Sequence, residues 1–111
     1  MKLSSKPTLR EKKRYIYFKV RSRNTVRFVD VKNAGWDSIL DIMGELGAAK
    51  ANPHFIRNLW DNSKQEGVIR CSHLFTDQIK LALSLIHHIG DEQVIFQSLK
   101  VSGTIKGTGQ I

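Results

Sequence analysis

Apolar and polar positions alternate with period two along residues 14–20. Ile16, Phe18 and Val20 fall on one side, and Tyr15, Tyr17 and Lys19 on the other. β-branched and aromatic residues in that alternation predict a strand with one greasy face and one aromatic-basic face. The period changes to that of a helix over residues 30–46. There Val31, Gly35, Trp36, Ile39, Ile42, Met43 and Leu46 share about 140° of arc, with Asn33, Asp37 and Asp41 opposite. Asp30 is the expected N-cap and Gly47 the expected residue just past the C-terminus. Gly35 within the stripe costs about 1 kcal/mol relative to Ala unless close packing uses its missing side chain.

Asn52-Pro53 discourages further helix. Residues 54–60 and 67–72 are short strand candidates joined by the turn-rich residues 61–66, which predicts a β-hairpin. Ser72 then caps a second predicted helix over residues 74–89, ended by Gly90. Its apolar residues cover about 200° of arc, more than one sheet face requires. The surplus, Leu74, Leu81 and Leu85, has two readings: packing against the first helix, or contact with a protein partner. Residues 93–101 form the last predicted strand. The order β-α-β-β-α-β predicts an α+β sandwich of the ferredoxin-like or RNA-recognition-motif type, an antiparallel sheet with two helices on one face.

The chain has 111 residues, 41% of them hydrophobic. That is one domain's worth, long enough for a core without disulfides or metal. The chain divides into a flexible basic arm (1–13), the sandwich domain (14–106) and a short tail (107–111). Charge changes the picture more. The net formal charge is +8, and its distribution is uneven. Residues 1–32 carry eleven basic residues against Glu11 and Asp30, a net of +9, whereas residues 33–111 carry a net of −1. Such concentration favours a polyanionic partner, most simply nucleic acid. A solubilising arm is the bland alternative. A membrane surface fits less well, since the first fourteen residues lack an apolar face. Cys71 is the only cysteine and no run reaches the roughly 20 apolar residues of a membrane span, so a cytoplasmic, reducing setting is expected.

Catalytic signatures are weak. The acylphosphatase type shares this element order but wraps its anion in a Gly-containing loop. Here residues 21–27 contain three Arg and no glycine. Cys71 and His73 lack a second pair at zinc spacing. His87 and His88 fall in the last turn of the second predicted helix, where they compensate its dipole. Cys71 shares the strand face of Ile69 and is expected in the core. Asp37 and Asp41 lie on the polar helix face as solvated charges. No catalytic and no metal-ligating residue is assigned. Base stacking on two strands is also disfavoured, because residues 67–72 contain no aromatic side chain. Contacts to phosphate need only Lys, Arg and backbone N–H groups.

Four blocks carry a resemblance: Pro7-Thr8-Leu9-Arg10-Glu11-Lys12-Lys13-Arg14-Tyr15-Ile16, Gly44-Glu45-Leu46-Gly47-Ala48-Ala49-Lys50, Gly67-Val68-Ile69-Arg70-Cys71 and Val101-Ser102-Gly103-Thr104-Ile105-Lys106. In this order they resemble the archaeal and eukaryal ribonuclease P protein component 2 family. The resemblance implies a noncatalytic subunit of the ribonucleoprotein that removes the 5′ leader of precursor tRNA. It implies further that the RNA subunit performs the chemistry with bound Mg²⁺, and that this protein binds no cofactor. A larger barrel-fold protein subunit would be its partner, able to assemble with it as a two-plus-two heterotetramer, and the pair would stabilise the catalytic domain of the RNA. With the charge pattern, Arg10, Lys12, Lys13 and Arg14 become the candidates for RNA phosphate, with Arg70 and Lys106 in support. Tyr15 and Tyr17 have two equal readings, flanking that surface or packing on a partner subunit, and Leu74, Leu81 and Leu85 are the candidates for protein contact. A stand-alone RNA-binding or ribosomal module is the competing function.

Overall fold

The computed structural model describes residues 12–105. Strand β1 (Lys13–Ser22) leads to helix α1 (Phe28–Ala51) and a short strand β2 (His54–Phe55). A 3-10 turn at Arg57–Leu59 and strand β3 (Glu66–Ser72) follow. A second 3-10 turn at His73–Phe75 leads into helix α2 (Thr76–Ser84), then strands β4 (His88–Ile89) and β5 (Glu92–Ser102). The sheet order is β2-β3-β1-β5-β4, with antiparallel neighbours throughout. Both helices pack on one face, so this is the expected α+β sandwich, enlarged by the small edge strand β4.

The alternation in β1 sets the layers. Ile16, Phe18 and Val20 are buried among residues of both helices and both neighbouring strands. Phe18 stacks on Phe96 of β5 at 5.9 Å and meets Phe55 of β2 edge-on at 6.1 Å. Such ring pairs contribute about 0.5–1.5 kcal/mol beyond their buried area. On the helical side Gly35 is buried because Phe55 occupies the space its side chain would need: a Cβ there would lie 2.3 Å from the ring.

α1 differs from its predicted form. It starts two residues earlier, with Arg27 at the N-cap making no side-chain cap. Asp30 lies in the first turn, where a carboxylate suits the positive end of the helix dipole, and it pairs with Arg27 at 3.2 Å. At Gly44 the backbone leaves helical geometry (φ 71°, ψ 172°), which glycine adopts without steric cost. The break resets the helical phase. Beyond it Ala48 and Ala51 are buried and Leu46 of the predicted apolar stripe faces solvent at 72%; Ile42, before the break, is also exposed. The helix passes through Gly47 and ends at Asn52 in the left-handed conformation, whose N–H bonds to Ala48 O.

The second helix is shorter than its pattern suggests. Ser72 accepts from Leu74 N, as predicted of a cap, but the cap opens a 3-10 turn. α2 stops at Ser84. His87 and His88 therefore do not compensate a helix dipole. His87 O accepts from Val94 N, and His88 pairs with Gln93 in the sheet. Ile86, His87, His88 and Ile89 are indifferent helix formers, and pairing with the edge of β5 outweighs their helical option. Gly90 (φ 61°) serves the tight β4–β5 turn instead of a helix terminus.

One irregularity redirects a strand. In β5, Val94 and Phe96 point into the core, and Ser98 pairs with Phe18. The register slips between Tyr17 and Phe18, so Tyr17 pairs with Lys100 and Leu99 is the extra residue of a β-bulge. Without the bulge, Lys100 would continue the inward row. With it, Lys100 joins the open face and Val101 packs against the core.

Gly35→Ala tests the tightest contact. Ala favours a helix by about 1 kcal/mol over Gly, but overpacking a filled core costs about 1–3 kcal/mol. With Phe55 buried and a contact of 2.3 Å to relieve, overpacking should prevail. The expected outcome is a lower urea midpoint at unchanged slope; an equal or higher midpoint would refute the packing argument.

Candidate nucleic-acid interface

The open face of the sheet is built from residues that β1 turns away from the helices. Directly opposed residues in an antiparallel pair sit about 4.5–5.5 Å apart at Cβ on the same face. The register places Arg70 between Tyr15 of β1 and His54 of β2. Ser102 lies on the other side of Tyr15, Lys100 opposite Tyr17, and Lys13 opposite Ser72. One quadrant therefore collects Lys13, Tyr15, Tyr17, His54, Arg70 and Lys100. The two ion pairs among the described residues are Lys19–Glu66 and Arg27–Asp30. Neither engages Lys13, Arg70 or Lys100, so their charges are available to an anion.

The middle of the face is different. The Glu66 carboxylate accepts from the Tyr17 hydroxyl and from Lys19 Nζ at 3.4 Å, and Lys19 also donates to Lys64 O at 3.0 Å. Lys19 is thus neutralised in place, and Tyr17 is held by its hydroxyl. Tyr15, two residues nearer the basic quadrant, has no such restraint from Glu66.

The candidates drawn from the sequence separate accordingly. Lys13, Tyr15, Tyr17 and Arg70 come together on the open face. Arg14 has the parity of the core row, at the end of the strand, where its Nη1 donates to Lys13 O at 3.0 Å. Lys12 is exposed just before β1, and its carbonyl accepts from His73 N at 2.9 Å. Lys13 itself opens β1, so the strand begins inside the stretch assigned to the arm. Arg10 and Lys106 lie outside the described residues. Leu74, Leu81 and Leu85 are exposed by 70, 50 and 46%, so the core does not consume them; Leu74 belongs to the 3-10 turn. Sequence reasoning missed His54 and Lys100. His54 was legible as an alternation partner of Phe55, whereas the position of Lys100 depends on the bulge.

Other chemistry finds little support. A cleft of about 580 Å³ on the helical side runs between α1 and the α2–β4 link, with exposed Asp37 and Asp41 at its wall. Among the described residues no group of three or more His, Cys, Asp or Glu side chains could hold a metal ion. No described helix is long and apolar enough to cross a membrane. Cys71 is fully buried beside Ile69, as expected from the strand pattern. Burial pushes its thiol up to about 11, against opposing effects of a Thr76 hydrogen bond and the Lys13 charge.

The model of the Rpp14/Pop5 family matches residues 14–110. Ribonuclease P protein component 2 of Thermococcus gammatolerans is 43% identical over 100 residues, which cover 90% of this chain and 82% of that protein. The proteins of the same name from Pyrococcus furiosus and Methanocaldococcus jannaschii are 44% and 37% identical over 90% of this chain, covering 82% and 72% of their own lengths. In structure, a chain of yeast ribonuclease MRP solved by cryo-EM aligns with a TM-score of 0.66 at 16% identity, over 89% of this chain and 79% of that one. At that identity the likeness concerns the fold.

A thiol held near 11 instead of 9 has about a hundredfold less thiolate at pH 8. Cys71 should therefore resist iodoacetamide in the native protein and react when urea unfolds the chain. Native labelling at the rate of the unfolded chain would show that the strand face is open.

Proposed function

The chain belongs to the Rpp14/Pop5 family, and on that premise we propose that it is a noncatalytic protein subunit of ribonuclease P. The observation that carries the reading is the join between near-full-length kinship to ribonuclease P protein component 2 and an open sheet face with unneutralised cations. The substrate of the assembled particle would be precursor tRNA, cut at its 5′ leader. Mg²⁺ in this reading belongs to the RNA subunit, which supplies the chemistry; no catalytic step is assigned to a residue of this chain.

The role of the protein is electrostatic. Lys13, Arg70 and Lys100 face one way, and Lys12 and Arg14 add charge at the same end of β1; Arg10 and Lys106, outside the described residues, stay candidates from the sequence alone. Phosphates bound there release their condensed counterions. Repulsion between folded RNA segments falls, and a given Mg²⁺ concentration supports more native RNA. Tyr15 offers a ring at the border of the patch, suited to a ribose or an unstacked base, but β3 adds no second ring. Contacts to the backbone therefore dominate, and they position the protein without reading sequence.

A protein partner completes the proposal. The exposed Leu74, Leu81 and Leu85 lie on the helical side, away from the cationic sheet, and offer apolar area to a larger barrel-fold subunit. A two-plus-two assembly of the two proteins, acting on the catalytic domain of the RNA, fits that separation of faces.

Two experiments test these statements. In a reconstitution of precursor-tRNA cleavage with the RNA subunit and the partner protein, omission of this chain should raise the Mg²⁺ requirement and lower the rate. An unchanged requirement and rate would overturn the subunit reading, and cleavage by the purified chain without RNA would overturn the noncatalytic one. In direct binding, the combined Lys13→Gln, Arg70→Gln and Lys100→Gln variant should weaken RNA binding regardless of sequence. Its log–log salt slope should flatten by about 0.7–0.9 for each cation that meets a phosphate. A slope equal to that of the native chain would remove these residues from the interface.

A further inference from the structure

The open face carries a second cationic group, at the far end of β1. Arg21 has the same parity as Tyr15 and Tyr17 and sits opposite Ile95 of β5. Its Nε donates to Gln97 Oε1 at 2.8 Å, which steadies the guanidinium and leaves both Nη groups without a partner among the described residues. His88 of β4 lies opposite Gln93, one row further out. Arg21, His87, His88, Gln93, Val94 and Ile95 together line an open cleft of about 370 Å³. No carboxylate is in that lining. Asp30, Asp37 and Asp41 face the separate helical-side cleft that the two histidines also border. The Glu92 carboxylate is occupied, accepting from Asn24 N and Asn24 Nδ2 at 3.0 Å each, and these bonds hold it below the usual carboxylate range.

We infer that this cleft is a second RNA phosphate subsite, so that the sheet grips two separate backbone segments. The inference rests on the reading that the open face binds RNA. The ligand class follows from the donors: a guanidinium edge suits phosphate oxygens, and an imidazole offers an N–H in either charge state. Exposed Ile95 gives the floor an apolar surface against which a sugar can lie.

The two-segment geometry follows from what lies between. Tyr15 and Arg21 are six residues apart on one strand, about 20 Å at the rise of an extended chain. The Debye length near physiological salt is about 8–10 Å, so the two cationic groups act independently. Between them stands Glu66, its carboxylate engaged by Tyr17 and Lys19. A phosphodiester track running straight along β1 would meet this neutralised pair at its centre and find no free cation there. Two backbone segments, one at each end, avoid it.

The test uses the full chain with Pyrococcus furiosus ribonuclease P RNA, read by hydroxyl-radical footprinting and by the salt dependence of binding. Native protein should protect two backbone segments. Arg21→Gln with His88→Gln should lose one of them and flatten the salt slope by about 0.7–0.9 for the lost Arg21 contact. Lys13→Gln with Arg70→Gln should lose the other, and Arg21→Lys should retain the slope. Arg21 and His88 are exposed, Lys13 and Arg70 half-buried, and a native urea midpoint confirms that each variant is folded. If only the Lys13/Arg70 variant changes the footprint, the second subsite is wrong and the proposed function stands. Should neither variant change footprint or slope, RNA binding by this face fails as a whole.

Discussion

Everything in this molecule hangs on the alternation of β1, the central strand. Its inward row, Ile16, Phe18 and Val20, gathers both helices and the flanking strands into one core, with Phe18 touching rings from β2 and β5. The outward row, Lys13, Tyr15, Tyr17, Lys19 and Arg21, is then obliged to line the open face. Because side chains repeat every two residues, a slip of one position would bury the cations and expose Phe18. Burial of the inward row forbids that slip. The set of side chains that the outer face presents is therefore specified by packing on the inner one.

Two small devices tune what that face presents. The bulge at Leu99 turns Lys100 outward beside Tyr17, adding charge to the basic quadrant while Val101 rejoins the core. Glu66 does the reverse in the middle of the face, neutralising Lys19. The result is a surface with unneutralised charge at both ends. The helical side, by contrast, displays exposed leucines and the carboxylates of α1. RNA on one side and protein on the other is the division of labour we propose for such a two-faced molecule.

Loops and ends are fixed by polar locks that no periodicity reveals. Gln65, in the left-handed conformation, is buried with its carboxamide accepting from Val26 N and donating to Val26 O and Asn62 O. It ties the β1–α1 connection to the turn before β3. Asp61 organises that turn by accepting from Ser63 and Lys64, and those bonds lower its pKa. Asn24 and Glu92 join the β1–α1 connection to the start of β5. Each lock links positions distant in sequence, or holds a backbone geometry that single-residue propensity does not favour.

By itself the sequence determined the layer order, the inward row of β1, the core placement of Cys71 and the concentration of positive charge; Gly35 it marked only as a helix cost that close packing could explain. These follow from local periodicity and residue size, which act within a few neighbours. Tertiary structure decided the rest. Competition with the β5 edge ended α2 at Ser84 and put His88 in the sheet; the break at Gly44 re-phased α1 and exposed Leu46; the bulge moved Lys100 across the sheet. In each case the deciding partner was a strand edge, a backbone hinge or a register, and none of these is written in the spacing of apolar residues along the chain.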